Sequence, residues 1–306
     1  MDILTLAVCA LLSGCSQNSD AVTGQTHLTQ LSPDSTKQER HTGQRGAIES
    51  DFANSTAGNY LAARFAQNRH DWKTANRFYA DILAKTRDKT GKLQQRALVL
   101  SMGAGDHERA LKLARDLSKN KEQNSLPALF LILGALHDND YQRAAGHLDT
   151  LNDDGIAKFI APLLRGWTRT GLSQTPEWEA LKANGVHRFH AVLMADYLGN
   201  SDYLSKITPE KFLKTNISTD ALEHIGDIYV RHEQPDIALS FYKHIQAENP
   251  ARTGIDKKIK ALNTEKRDIE EENLQSSIAK PAQGAARALF DMASLLFRDY
   301  SDDSAR

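Results

Sequence analysis

Leu222-Glu223-His224-Ile225-Gly226-Asp227-Ile228-Tyr229, then Ala238-Leu239-Ser240-Phe241-Tyr242, then Pro250, is the stretch that decides the fold. Leu222, Ile225, Tyr229 and Val230 fall on one stripe at helical spacing, with Glu223, Asp227 and Arg231 facing elsewhere. Gly226 sits inside that helix, where it costs about 1 kcal/mol relative to Ala, a cost that close approach of a second helix would offset. Residues 231–236 break the stripe, and Pro235 is placed to open the next helix. Ala238 is small, Phe241, Tyr242 and Ile245 form an apolar face, and Pro250 ends the segment. Such a hairpin buries its apolar faces only against neighbouring copies, so one good unit predicts others and a stacked helical array.

Weaker copies lie outward from it. Asp71-Trp72 leads into Ala75, Phe78, Tyr79, Ile82 and Leu83, preceded by Tyr60, Leu61 and Phe65 on a first helix. Ala110 and Ala144 follow Ala75 at steps of 35 and 34 residues, each just after a turn, at 105–106 and 139–140. From Ala144 to Ala238 the step is 94 residues, enough for two irregular units plus a return to register. Helices are expected there at 157–170, interrupted by Pro162, and at 176–183, 187–198 and 209–213. After Pro250 a helix at 252–262 caps the stack, and the charged run at 265–272 leads a polar linker to 283. Ala288, Leu289, Phe290, Ala293, Leu296 and Phe297 then begin another first helix, with a turn expected at 299–303 and Ala305 opening a second helix. Two readings of 284–306 stand: the start of a truncated unit, or a C-terminal helix whose apolar face folds back to close the stack.

The period and the residues that mark it, Ala75, Ala110, Ala144, Gly226, Tyr229, Ala238, Tyr242 and Pro250, resemble the tetratricopeptide repeat, as found in envelope lipoproteins of Gram-negative bacteria. The resemblance covers 53–306: three repeats at 53–152, degenerate helical repeats at 153–217, a well-matched repeat with a capping helix at 218–264, a charged linker at 265–283, and the start of a repeat at 284–306. It implies an all-α fold, an α-solenoid of antiparallel helix pairs in a right-handed superhelix, whose first helices line a groove for a partner peptide or helix. Groove positions implied by the family are Tyr60, Arg64, Gln67 and Asn68, then Lys92, Gln95, Val99 and Met102, and finally Glu223, Asp227, Val230 and Arg231. Leu126, Leu129, Leu133 and Leu136 hold the same rank in the third unit, within a segment apolar all round. That segment is either covered by the superhelix or an apolar pocket for a partner helix.

The N-terminus carries a second resemblance. Ile3 to Leu12 is a short apolar run, and Leu12-Ser13-Gly14-Cys15 follows it, the residue pattern of a bacterial lipoprotein signal. Residues 1–14 are expected to be cleaved and Cys15 to carry lipid; Met1-Asp2 lacks the usual basic residues, which suits a true start further upstream. Both cysteines lie in the first fifteen residues, so cleavage removes Cys9 and leaves no internal disulfide. Ser16 after the lipidated cysteine implies the outer membrane, facing the periplasm, rather than inner-membrane retention. Residues 15–52, rich in Ser, Thr, Gln, Asn and Gly, are expected to be a disordered tether reaching on the order of 30 Å.

Hydrophobic content of 40%, charged content of 25% and a net charge of -1 describe an ordinary globular chain with no basic excess to suggest nucleic acid. The 11 histidines are scattered, and the close pair His187 and His190 has no carboxylate or cysteine cluster to complete a metal site. Gly103 and Gly105 end a helix and lack a phosphate-loop lysine. No catalytic, cofactor or metal constellation is legible. The expected function is therefore a non-catalytic scaffold that holds a protein or peptide partner; the alternative is the N-terminal interaction half of a longer envelope enzyme, with catalysis beyond Arg306.

Overall fold

The computed structural model describes residues 55–304 apart from 89, 120–124, 153–154, 214, 216, 264–275 and 277, and the backbone alone over 297–304. Every regular element among the described residues is helical, as the apolar periodicity requires. Cys15 and the leader, the tether to residue 52, the charged run at 265–272 and Ala305 lie outside the described residues. The chain forms two compact units, Met1–Asn120 and Lys121–Arg306, so the block expected at 53–152 is divided after its second helix pair.

The first unit contains α1 (Thr56–Asn68), α2 (Trp72–Lys85), α3 (Lys92–Gly103) and α4 (His107–Ser118), each packed on the next. Ala75 of α2 and Ala110 of α4, small residues that marked the period, are fully buried. Ala63, Ala66, Tyr79, Ile82, Ala97 and Leu100 complete the core around Ala75, with Trp72 and Phe78 packed at its margin.

One turn device recurs along the chain. His70, Gly105, Asn139, Ser173, Gly199 and Glu233 all have positive φ, at successive steps of 35, 34, 34, 26 and 34 residues. After α1, the His70 amide donates to Gln67 O at 2.9 Å and the Asp71 amide to Ala66 O at 2.9 Å, which satisfies carbonyls that a helix end leaves orphaned. Asp71 then caps α2 by accepting from the Thr74 amide at 3.1 Å. Asp106, Asp140 and Asn200 repeat the cap on Arg109, Arg143 and Tyr203. The 94-residue gap in the small-residue series thus contains two further turns, at Ser173 and Gly199, and one shortened unit between them.

The second unit contains α5 (Ser125–His137), α6 (Tyr141–Leu148), α7 (Ala157–Gly171), a 3-10 helix (Trp178–Lys182), α8 (Gly185–Tyr197), α9 (Ser201–Ser205), α10 (Glu210–Leu213), α11 (Thr219–Arg231), α12 (Pro235–Glu248), α13 (Ile255–Asn263) and α14 (Pro281–Ser304). In the shortened unit the 3-10 helix replaces a full second helix, and Trp178 stacks on Tyr203 of α9 at 3.8 Å. Pro162 is tolerated inside α7. In the α11/α12 pair, a Cβ on Gly226 would overlap the Tyr242 ring, which accounts for glycine in mid-helix. Pro250 lies exposed in the turn beyond α12.

The C-terminal segment departs from the truncated-unit reading. α14 is one continuous helix of 24 residues with no turn at 299–303, and it packs back on α7, α8 and α5. Ala285, Ala288, Leu289, Met292 and Ala293 form its buried stripe at helical spacing, while Phe290, half exposed, faces away from it.

Candidate interaction surface

In the first unit, α1 and α3 share a face, because the Arg96 Nη2 donates to Gln67 Oε1 at 2.8 Å. Tyr60 is 42% exposed on this face, its ring centroid 6.2 Å from that of Tyr79, which is buried at 2% exposure. Burial pushes the Tyr79 phenol up, and the nearby Arg96 and Arg64 guanidiniums oppose that shift. Arg64, Gln67 and Gln95 are half-buried, and Asn68 and Lys92 are exposed. Met102 does not belong to this face; it is buried in the core, since a stripe counted at steps of three and four drifts inward by the end of the helix. Arg96 escapes a reading of the sequence alone, although it is one turn from Lys92. Its Nε is buried with no hydrogen-bond partner, a state that costs about 1–3 kcal/mol.

The corresponding first helices of the second unit are engaged within the chain. Leu129, Leu133 and Leu136 are buried in α5, so this apolar segment is covered rather than displayed. Across α7 and α8 lies α14. The Trp167 indole, a donor only, donates to His190 Nδ1 at 3.1 Å, so His190 Nε2 carries its proton and faces Asp291 Oδ2 at 3.1 Å. Burial pushes the His190 pKa down, although Asp291 pulls it up. His187 is also buried, its Nδ1 2.9 Å from Asn184 Oδ1. A cavity of about 310 Å³ lies beside α14, walled by Val186, Phe189, Ile217, Ala221, Arg287 and Phe290.

The remaining expected groove residues are paired inside the unit and correct the reading of α11 as an open face. Glu223 meets Arg252 at 2.6 Å and Lys258 at 2.9 Å, and Asp227 meets Lys258 at 2.6 Å. Burial works against the Glu223 carboxylate, but hydrogen bonds from Lys258 and Arg252 hold its pKa below the ordinary value. Burial and Asp227 push the Tyr242 phenol up, so it stays protonated and donates to Asp227 Oδ1 at 2.5 Å. Arg231 pairs with Asp196 at 2.8 Å, the side chains 8% and 4% exposed. Ala144, Tyr229 and Ala238 are fully buried.

Asp196 also receives His232 Nε2 at 3.1 Å, and His232 Nδ1 lies 3.1 Å from Ser201 Oγ, an Asp-His-Ser order that nucleophilic triads also use. Here the carboxylate is committed to Arg231 and to the Ser276 hydroxyl at 3.0 Å, and the group ties the C-terminal ends of α8 and α11 together. Among the described residues, no group of three or more His, Cys, Asp or Glu could hold a metal ion, and no helix is long and apolar enough to cross a membrane. No family model matches the chain, and no curated protein matches it.

Proposed function

We propose that this chain is a non-catalytic interaction scaffold of the tetratricopeptide-repeat type, held in the bacterial envelope by lipid on Cys15 and facing the periplasm from the outer membrane. The α1/α3 face supports this reading most directly: Tyr60, Arg64, Gln67, Lys92 and Arg96 stand together on two first helices. The equivalent helices of the second unit are filled by α14 or paired internally. The partner is a protein or peptide segment laid against the first unit. A photo-reactive amino acid at position 60 or 64 tests it in cells: a partner adduct is expected from these positions and not from exposed Lys73 on α2. Equal labelling from all three positions, or no adduct, argues against the reading.

A further inference from the structure

We propose that the α1/α3 face receives an acidic peptide segment of its partner, with carboxylates set against Arg64 and Arg96 and an apolar side chain against Tyr60. This rests on the scaffold reading and adds the chemistry of the partner. The only charged residue of α1 is Arg64, and the only charged residues of α3 are Lys92 and Arg96. None of the three has a carboxylate within 4.0 Å among the described residues, whereas Glu223, Asp227 and Arg231 of the second unit are all neutralised in place.

The arrangement is also partly dehydrated. Gln67 fixes one edge of the Arg96 guanidinium, the buried Nε hydrogen is unsatisfied, and Arg64 acts on the same Tyr79 phenol. A half-buried cation with a neutral neighbour as its partner gains more from an incoming carboxylate than a solvated one, because screening is weaker there and the side chain is already ordered. Tyr60 stands next to this point with its ring open to solvent, an amphipathic surface suited to an apolar residue flanked by acids. Three cations and one exposed aromatic do not make the long basic row with successive stacking platforms that single-stranded nucleic acid uses, so a peptide is the better match.

The test uses the full chain and a short fluorescein-labelled peptide of alternating Glu and Leu, with its Gln/Leu counterpart as comparison, read by fluorescence anisotropy. The acidic probe is expected to bind and the Gln probe not to, with affinity falling as salt rises. Arg64→Gln and Arg96→Gln should each weaken binding about tenfold, and exposed Lys92→Gln about threefold. Melting curves by circular dichroism check that Arg96→Gln, which releases Gln67, still folds; Lys92→Gln perturbs no buried contact and keeps the test valid if it does not. Equal binding of both probes, no binding, or indifference to all three substitutions overturns the proposal. So does displacement of the probe by an oligothymidylate or by phosphatidylglycerol vesicles at equal charge. Position-60 adducts that survive Arg64→Gln and Arg96→Gln would leave the scaffold reading standing while removing the acidic segment.

Discussion

Gly284 of α14 lies flat against the Trp167 indole of α7, so closely that a Cβ on the glycine would overlap the ring. Trp167 is fully buried by this contact and its neighbours, and its indole N–H is used on His190. The last helix is therefore part of the core of the second unit. It occupies a first-helix surface of that unit.

Gly284→Val should loosen α14. The added side chain must displace either the indole or the helix, an overpacking cost of about 1–3 kcal/mol. Tryptophan emission should shift to the red, and hydrogen exchange should quicken across 281–293. Unchanged emission and exchange would show that the contact does not hold the helix.

Gly226→Ala sets two effects against each other. Removing a mid-helix glycine favours the helix by about 1 kcal/mol, but the new methyl meets the Tyr242 ring, which is buried and hydrogen-bonded to Asp227. Overpacking of about 1–3 kcal/mol should win, and the melting temperature should fall. A higher melting temperature would mean that the ring yields freely.

Acid should destabilise the second unit well above the carboxylate range. Burial, with Arg287 and Arg231 adding to it, pushes His224 down to about 4, and burial lowers His187 and His190 as well. The unfolded chain takes up protons below about pH 6.5 while the folded one does not, so stability is present above that value and is lost as pH falls toward 4. For His224 alone the loss between pH 7 and pH 5 is about 2 kcal/mol. Urea midpoints at the two pH values measure it, and His224→Gln should reduce the difference; an unaltered difference would assign it elsewhere.

Asp196→Ala should cost about 3–5 kcal/mol, because it removes the carboxylate paired with a buried Arg231 that is 8% exposed. The double change Asp196→Leu with Arg231→Leu should recover part of the loss, since both members of the buried ion pair are then replaced by apolar side chains. A double variant as unstable as the single one would shift the cost to His232 and Ser276.

Cys15→Ala should release the protein from the membrane fraction if lipid on this residue is the anchor. Retention in that fraction at wild-type level would remove the anchor from the proposed function.

The local rhythm is legible because it is written in short-range chemistry. A left-handed residue followed by Asp or Asn ends one helix and caps the next, and Ala75, Ala110 and Ala144 mark where the second helix must come near. Ser173 and Glu233 hide the same turn, since neither residue type announces positive φ. Within the candidate face, Tyr60, Arg64 and Gln67 are found by counting along one helix. Arg96 emerges only when the partner of Gln67 is visible.

The sequence by itself determined most of the helices, their apolar stripes and the turns at His70, Gly105 and Asn139, because these depend on residues three to five positions apart. Only the tertiary structure decided what each stripe covers. The same amphipathic pattern in α14 is compatible with a neighbour that follows it and with a face that precedes it by a hundred residues; Gly284 against Trp167 and Asp291 beside His190 select the second. Charge shows the same division. Glu223, Asp227 and Arg231 look like display residues along one helix, and they are neutralised by Arg252, Lys258 and Asp196 on others, whereas Arg64 and Lys92 meet no carboxylate among the described residues. Periodicity fixes direction on a helix, and long-range packing chooses the partner.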